Sequence, residues 1–172
     1  MTATLIVLAG PPCSGKSTAA RELAQRLDAP HLSMDATRRR ILPGAAHTRA
    51  DREVAYRAMH YAAELLLQSG RRVILDAPYG HPEDRDEVQA IVEAAKGRLA
   101  LVEFRITPEV ASRRFLARGP DPECPDLTED VVAQAAREYR YSGQGLHIDA
   151  DQLAGPETVA RIVEFIQDRE RI

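Results

Sequence analysis

Short unbroken apolar runs alternate along this chain with stretches in which apolar residues recur every three or four positions. LIVLA, residues 5–9, reads as a buried parallel strand. After it, Ala20, Leu23, Ala24 and Leu27 keep helical spacing. HLSM (31–34) predicts a brief second strand that ends at Asp35, and ATRRRIL a short helix stopped by Pro43 and Gly44. Residues 50–69 predict a long helix, with Val54, Met59, Ala62, Leu65 and Leu66 on one side and Gly70 just past its end. RVIL (72–75) is the third strand, closed by Asp76. The segment 82–96 opens on Pro82, carries acids in its first turn and stops at Gly97, as a helix does. RLALVEFRI (98–106) is the fourth strand, and Thr107-Pro108 opens a helix to 118. A stretch rich in Pro and Asp (119–127), a helix over 128–140, a strand LHID (146–149) and a helix from Pro156 complete the pattern. Five strands joined by helical crossovers predict one α/β domain with a parallel sheet.

In such sheets ligands bind beyond the carboxyl ends of the strands. The chemistry is therefore expected at residues 10–18, 35, 76–81, 119–127 and 149–151, with 119–127 as a mobile lid. The first of these segments is GPPCSGKST, the phosphate-loop pattern G-x-x-x-x-G-K-[ST], set between a strand and a helix. Glycines let the backbone wrap a phosphate closely, and a helix N-terminus offers unpaired N–H groups and partial positive charge. Gly10, Pro11, Pro12, Cys13, Ser14, Gly15, Lys16, Ser17 and Thr18 would thus bind a nucleotide. Lys16 would reach the β- and γ-phosphates, and the Ser17 hydroxyl would hold Mg²⁺.

Asp76, at the end of an apolar strand, is the expected second Mg²⁺ group. Asp35 is a candidate base that accepts a proton from an attacking hydroxyl, or else a cap for the helix behind it. Arg38, Arg39 and Arg40 point about 100° apart on a helix, so only one can face a given ligand, and Arg38, one turn after Asp35, is the choice. Arg114 and Arg118 share a helix face at the entrance to 119–127, where an arginine can lie on adenine or clamp a phosphate. Tyr79 and Arg85 flank the third strand's end and are candidate acceptor contacts. Tyr56, Tyr61 and Tyr139 fit packing positions, as does His147.

Composition narrows the field. The 172 residues carry a net charge of −3, which weighs against nonspecific nucleic-acid binding. The two cysteines, Cys13 and Cys124, lack metal-site spacing and suggest a reduced, cytoplasmic protein. No leader is expected, and no apolar run approaches the roughly 20 residues of a membrane span.

GPPCSGKST, HLSMDATRRRIL, LLLQSGRRVILDAPYGHPEDRDEV and RRFLAR occur in that order. Together they resemble the P-loop kinases of the AAA-type "predicted kinase" group, related to chloramphenicol phosphotransferase and the kinase domain of phage polynucleotide kinase. The resemblance covers about residues 4–118 well and the rest loosely. It implies a five-stranded parallel sheet of order 2-3-1-4-5 with helices on both faces. It also implies ATP, Mg²⁺ and transfer of the γ-phosphoryl to a hydroxyl. By position it makes Asp35 the catalytic base, Arg38 an acceptor-side arginine, Asp76 the Mg²⁺-binding acid, and Arg114 and Arg118 lid arginines. One departure is that residues 119–136 contain no arginine, with Arg137 and Arg140 the next along the chain. The expected activity is a kinase for a small-molecule hydroxyl. A 5′-hydroxyl polynucleotide kinase and a non-catalytic ATP-binding switch are the alternatives.

Overall fold

The computed structural model describes residues 3–44, 48–119, 121, 122, 124–153 and 155–171. Twelve elements follow one another: β1 (Thr4–Ala9), α1 (Lys16–Leu27), β2 (His31–Ser33), α2 (Met34–Ile41), α3 (Arg49–Gln68), β3 (Val73–Asp76), α4 (Pro82–Ala94), β4 (Arg98–Arg105), α5 (Pro108–Arg118), α6 (Glu129–Glu138), β5 (Leu146–Asp149) and α7 (Pro156–Arg171). The strands form one sheet of order β2-β3-β1-β4-β5, with every pairing parallel. The expected sheet order and helical crossovers are both present.

β1 lies at the centre, and all six of its residues are buried because helices cover both faces. Alternation along the strand sends Leu5 and Val7 to one face and Ile6 and Leu8 to the other. The first pair packs with Met59, Ala63 and Leu67 of α3 and Val88 and Val92 of α4. The second pair packs with Ala20 and Leu23 of α1 and Ile162 and Ile166 of α7. A smaller cluster, Ile106, Ala111, Phe115, Val132 and Ala136, joins α5 to α6.

The buried side of α3 differs from the expected one. Val54 and Leu65 are exposed, as is Tyr61, which was expected to pack. The inward stripe is Tyr56, Met59, His60, Ala63 and Leu67. Apolar residues occur nearly all round this helix, so spacing alone leaves its buried face open. Thr48 starts the helix with a reciprocal cap: its hydroxyl accepts from Asp51 N–H and the Asp51 carboxylate accepts from Thr48 N–H, each at 3.1 Å.

A second feature shapes the far edge of the sheet. Glu103, in the middle of β4, is fully buried, and its carboxylate accepts N–H bonds from Ser142 (2.7 Å) and Gly143 (3.3 Å). His147, expected to be a packing residue, lies 3.5 Å from the same carboxylate. This draws the segment before β5 onto the sheet, so that a Cβ at Gly145 would sit 2.2 Å from the Leu101 carbonyl oxygen. Gly145 also has φ +73°. Gly145→Ala is therefore expected to destabilise the fold by about 2 kcal/mol or more, read as a lower urea midpoint at unchanged slope.

Candidate active site

The phosphate loop leaves β1 at Gly10, whose N–H donates to the Pro78 carbonyl at 3.1 Å. Positive φ angles at Gly10 (153°), Cys13 (62°) and Gly15 (92°) turn the chain back on itself. A Cβ on Gly10 would lie 2.9 Å from the Phe104 carbonyl oxygen, so glycine is required there. α1 begins at Lys16 with no side-chain cap, leaving its first amides available to an anion. Lys16 Nζ donates to the Pro11 carbonyl at 3.2 Å. Burial pushes the Cys13 thiol up despite the nearby cations Arg118, Lys16 and Arg114, so the thiol stays protonated at neutral pH.

Asp76 ends β3 beside this loop, with its side chain only 2% exposed. Burial pushes its carboxyl up, but the His31 imidazole, the Lys16 ammonium and the Ser17 hydroxyl outweigh that and hold it below the usual carboxylate range. Neither Asp76 oxygen has a hydrogen-bond partner, and His31 Nε2 lies 3.5 Å from Oδ2 without closing a bond. Two unpartnered oxygens on a buried carboxylate next to a serine hydroxyl fit Mg²⁺, which takes one or two protein oxygens and completes its shell with phosphates and water. No group of three or more His, Cys, Asp and Glu capable of holding a metal by itself occurs among the described residues.

β2 stops at Ser33, before the expected boundary, and Asp35 is the second residue of α2. Ser33, not Asp35, caps this helix: its hydroxyl accepts from Ala36 N–H at 3.5 Å. Asp35 is left exposed, and its charge acts on both the Tyr56 hydroxyl and the Cys124 thiol. One turn on, Arg38 is buried at 3% exposure with Nη2 unpartnered. Arg39 and Arg40 are exposed.

Three expected contacts are engaged within the fold. The Tyr79 ring is fully buried, so its side chain offers no surface to a ligand here. Its hydroxyl meets His60 Nε2 at 3.0 Å, and His60 Nδ1 meets Glu87 Oε2 at 2.9 Å. A carboxylate only accepts, which assigns the proton to Nδ1 and makes Tyr79 the donor to Nε2. Tyr79 N–H donates to the Tyr56 hydroxyl at 3.2 Å, holding a left-handed residue (φ 52°) directly behind Asp76-Ala77-Pro78. Arg85 does not face the phosphate loop: its Nη1 donates to the Tyr79 carbonyl (2.7 Å) and the Arg140 carbonyl (3.3 Å). It lines a cavity of about 530 Å³ with Pro82, Asp86, Gln89, Leu99 and Ser142, away from that loop. Arg114 donates to the carbonyls of Cys13, Ser14 and Ala150, which braces the loop from outside. Arg118, one turn later, is exposed, with its guanidinium 5.8 Å from the Phe115 ring centre. Its charge, like those of Lys16 and Arg114, acts on the Cys13 thiol. Residues 120 and 123 of the expected lid lie outside the described residues.

The brace around Tyr79 was not foreseen, because its members lie far apart in sequence. Tyr139 completes it, donating from its hydroxyl to the Pro78 carbonyl. Its histidine makes a pH test. Burial pulls His60 below the ordinary histidine range, although Glu87 works to raise it. The unfolded chain then binds a proton that the folded chain refuses. Stability is full above about pH 6.5 and falls as pH drops from there toward the folded value, with a slope of at most about 1.4 kcal/mol per pH unit from this residue. Urea titrations between pH 8 and 5 are expected to show that fall, and His60→Gln to flatten it.

Comparison with known proteins agrees with this geometry. Residues 5–141 match a family model described as an AAA domain. An uncharacterized protein of Mycobacterium tuberculosis is 33% identical over 169 residues, a match that takes in 90% of this chain. The chain spans about a third (32%) of that relative's length. An adenylate kinase of Mycolicibacterium vanbaalenii is 31% identical over 154 residues, covering 78% of this chain and 79% of that one. The structure of the Mycobacterium tuberculosis APS kinase CysC in complex with AMPPNP and APS superposes with a TM-score of 0.76 at 18% identity, covering 96% of this chain and 98% of that one. With the phosphate loop, the sheet order and the family match in agreement, the chain belongs to the AAA-domain family and has the fold of the P-loop kinases.

Proposed function

We propose that this protein is an ATP-dependent phosphotransferase that moves the γ-phosphoryl group to a hydroxyl of a small molecule. One observation carries the reading. The buried side-chain polar atoms left without a partner, among the described residues, belong to Ser14, His31, Arg38 and Asp76. Folded proteins pair nearly all such atoms, and each orphan costs about 1–3 kcal/mol. Here they gather around the phosphate loop and the ends of β2 and β3, where a nucleotide and a second substrate would complete them.

In this reading the loop amides and Lys16 hold the β- and γ-phosphates, and Ser17 with Asp76 holds Mg²⁺, which neutralises charge on the transferring group. Asp35 accepts the acceptor's proton. Arg38 steers the acceptor, and Arg118 supplies the lid-side cation. The rest is positioning. No helix among the described residues is long and apolar enough to cross a membrane. The free thiols of Cys13 and Cys124 suit a reducing cytoplasm.

A second reading follows from Arg38 and from the adenylate kinase relative. A buried guanidinium with an unused N–H suits an acceptor that carries a phosphate, such as a nucleoside monophosphate. Mass spectrometry of a panel of alcohols, sugars, nucleosides and nucleoside monophosphates incubated with Mg–ATP tests both. A phosphoryl gained on a hydroxyl supports the first reading, and one gained on a phosphate the second. Transfer to an oligonucleotide that falls steeply with salt would point to a polynucleotide kinase. ATP turnover that no acceptor accelerates would point to a nucleotide-dependent switch.

A further inference from the structure

We propose that His31 is a positioning residue for Asp76, holding the carboxylate in the orientation that Mg–nucleotide binding requires; this rests on the Mg–nucleotide reading above. The parallel register sets His31 beside Ile74 and Ser33 beside Asp76. His31 and Asp76 therefore project from the same face of the sheet, diagonally across two neighbouring strands. His31 Nε2 is shut off from solvent and has no hydrogen-bond partner. A charged acceptor, Asp76 Oδ2, lies 3.5 Å away. A buried ring nitrogen left unpaired is costly, and with its proton on Nε2 His31 would have Asp76 Oδ2 as the acceptor nearby.

Three groups act on the Asp76 carboxyl: His31, Lys16 and Ser17. Lys16 and Ser17 belong to the phosphate loop, whereas His31 comes from the adjacent strand, outside the loop that a nucleotide would occupy. A carboxylate held through Oδ2 would leave Oδ1, which has no partner here, for a metal. Groups standing behind a metal-binding side chain in this way typically change metal affinity about 10–100-fold when removed. Hydrophobic periodicity gives no hint of the role, because His31 opens a three-residue strand that could as well bury any side chain.

The test measures Mn²⁺ affinity in the protein–ADP complex by electron paramagnetic resonance, and metal-free ADP affinity by calorimetry. His31→Phe keeps a flat ring but removes the donor. It is expected to weaken Mn²⁺ binding about tenfold while leaving metal-free ADP binding within about twofold. His31→Gln retains an N–H donor and is expected to lie nearer the wild type. Unchanged Mn²⁺ affinity in a folded His31→Phe overturns the proposal, as does an equal loss of metal-free ADP binding. If His31→Phe does not fold, His31→Asn, too short to reach Oδ2, carries the same expectation and the same overturning result. A wild-type protein that binds no Mn²⁺ with ADP would overturn the Mg–nucleotide reading along with this one, whereas normal wild-type binding with unaffected variants removes His31 alone.

Discussion

Lys16→Ala is expected to lower phosphoryl transfer at least about a hundredfold, since a single group aimed at charge that develops in the transition state is commonly worth 10²–10³ in rate. Lys16 is half-buried at the first position of α1, and its one hydrogen bond runs to the Pro11 carbonyl within the loop. It belongs to no apolar cluster, and the loop's shape rests on Gly10, Gly15 and the Arg114 brace. The variant should therefore melt close to the wild type. Turnover is to be measured beside thermal unfolding, and a folded variant that kept more than about a tenth of wild-type activity would remove Lys16 from the phosphate site.

The two acids should separate cleanly. Asp35 is exposed on α2, where the proposed acceptor would approach, whereas Asp76 is buried and feels Ser17 and Lys16. Asp35→Asn is expected to leave Mg–ATP affinity nearly intact and lower kcat by about 10²–10⁴, the range for losing a general base. Asp76→Asn removes the negative charge that Lys16 and His31 surround, so nucleotide affinity and Mg²⁺ dependence should weaken together. Calorimetric ATP affinity and turnover, measured for both variants, decide the matter. Loss of Mg–ATP binding in Asp35→Asn with retention in Asp76→Asn would exchange the roles. Full turnover in Asp35→Asn would leave it as a first-turn acid with only a helix-dipole effect.

The strands and the loop were legible because their signals are local. LIVLA followed by GPPCSGKST needs no distant partner to be interpreted, and RVILD declares a buried strand with an acid at its tip. Reading failed where short- and long-range terms compete. Ser33 takes the cap two residues before Asp35, as its hydroxyl reaches Ala36 N–H. Arg114 and Arg118 share a helix face, yet one turn separates an arginine lodged against loop carbonyls from an exposed one beside Phe115. Tyr79 stands in the D-A-P-Y-G segment of a ligand-binding edge and looks like a contact. Only the fold reveals that His60 and Tyr56 of α3 have claimed it.

The central place of β1 carries a consequence for how the chain folds. The strand that precedes the other four of this sheet is the one most deeply enclosed, and its neighbours begin only at Val73 and Arg98. A nascent chain that has emerged through β3 has one edge of β1 still bare, and half of the buried apolar residues clustered with Ile6 and Leu8 are still to come from β4 and α7. Such distant pairings must close large loops before they return any stabilisation, which slows folding and leaves a sticky edge open meanwhile. A fragment ending before β4 would keep that edge permanently. Its phosphate loop would hang from a strand with no second neighbour, prone to aggregate sooner than to bind a nucleotide.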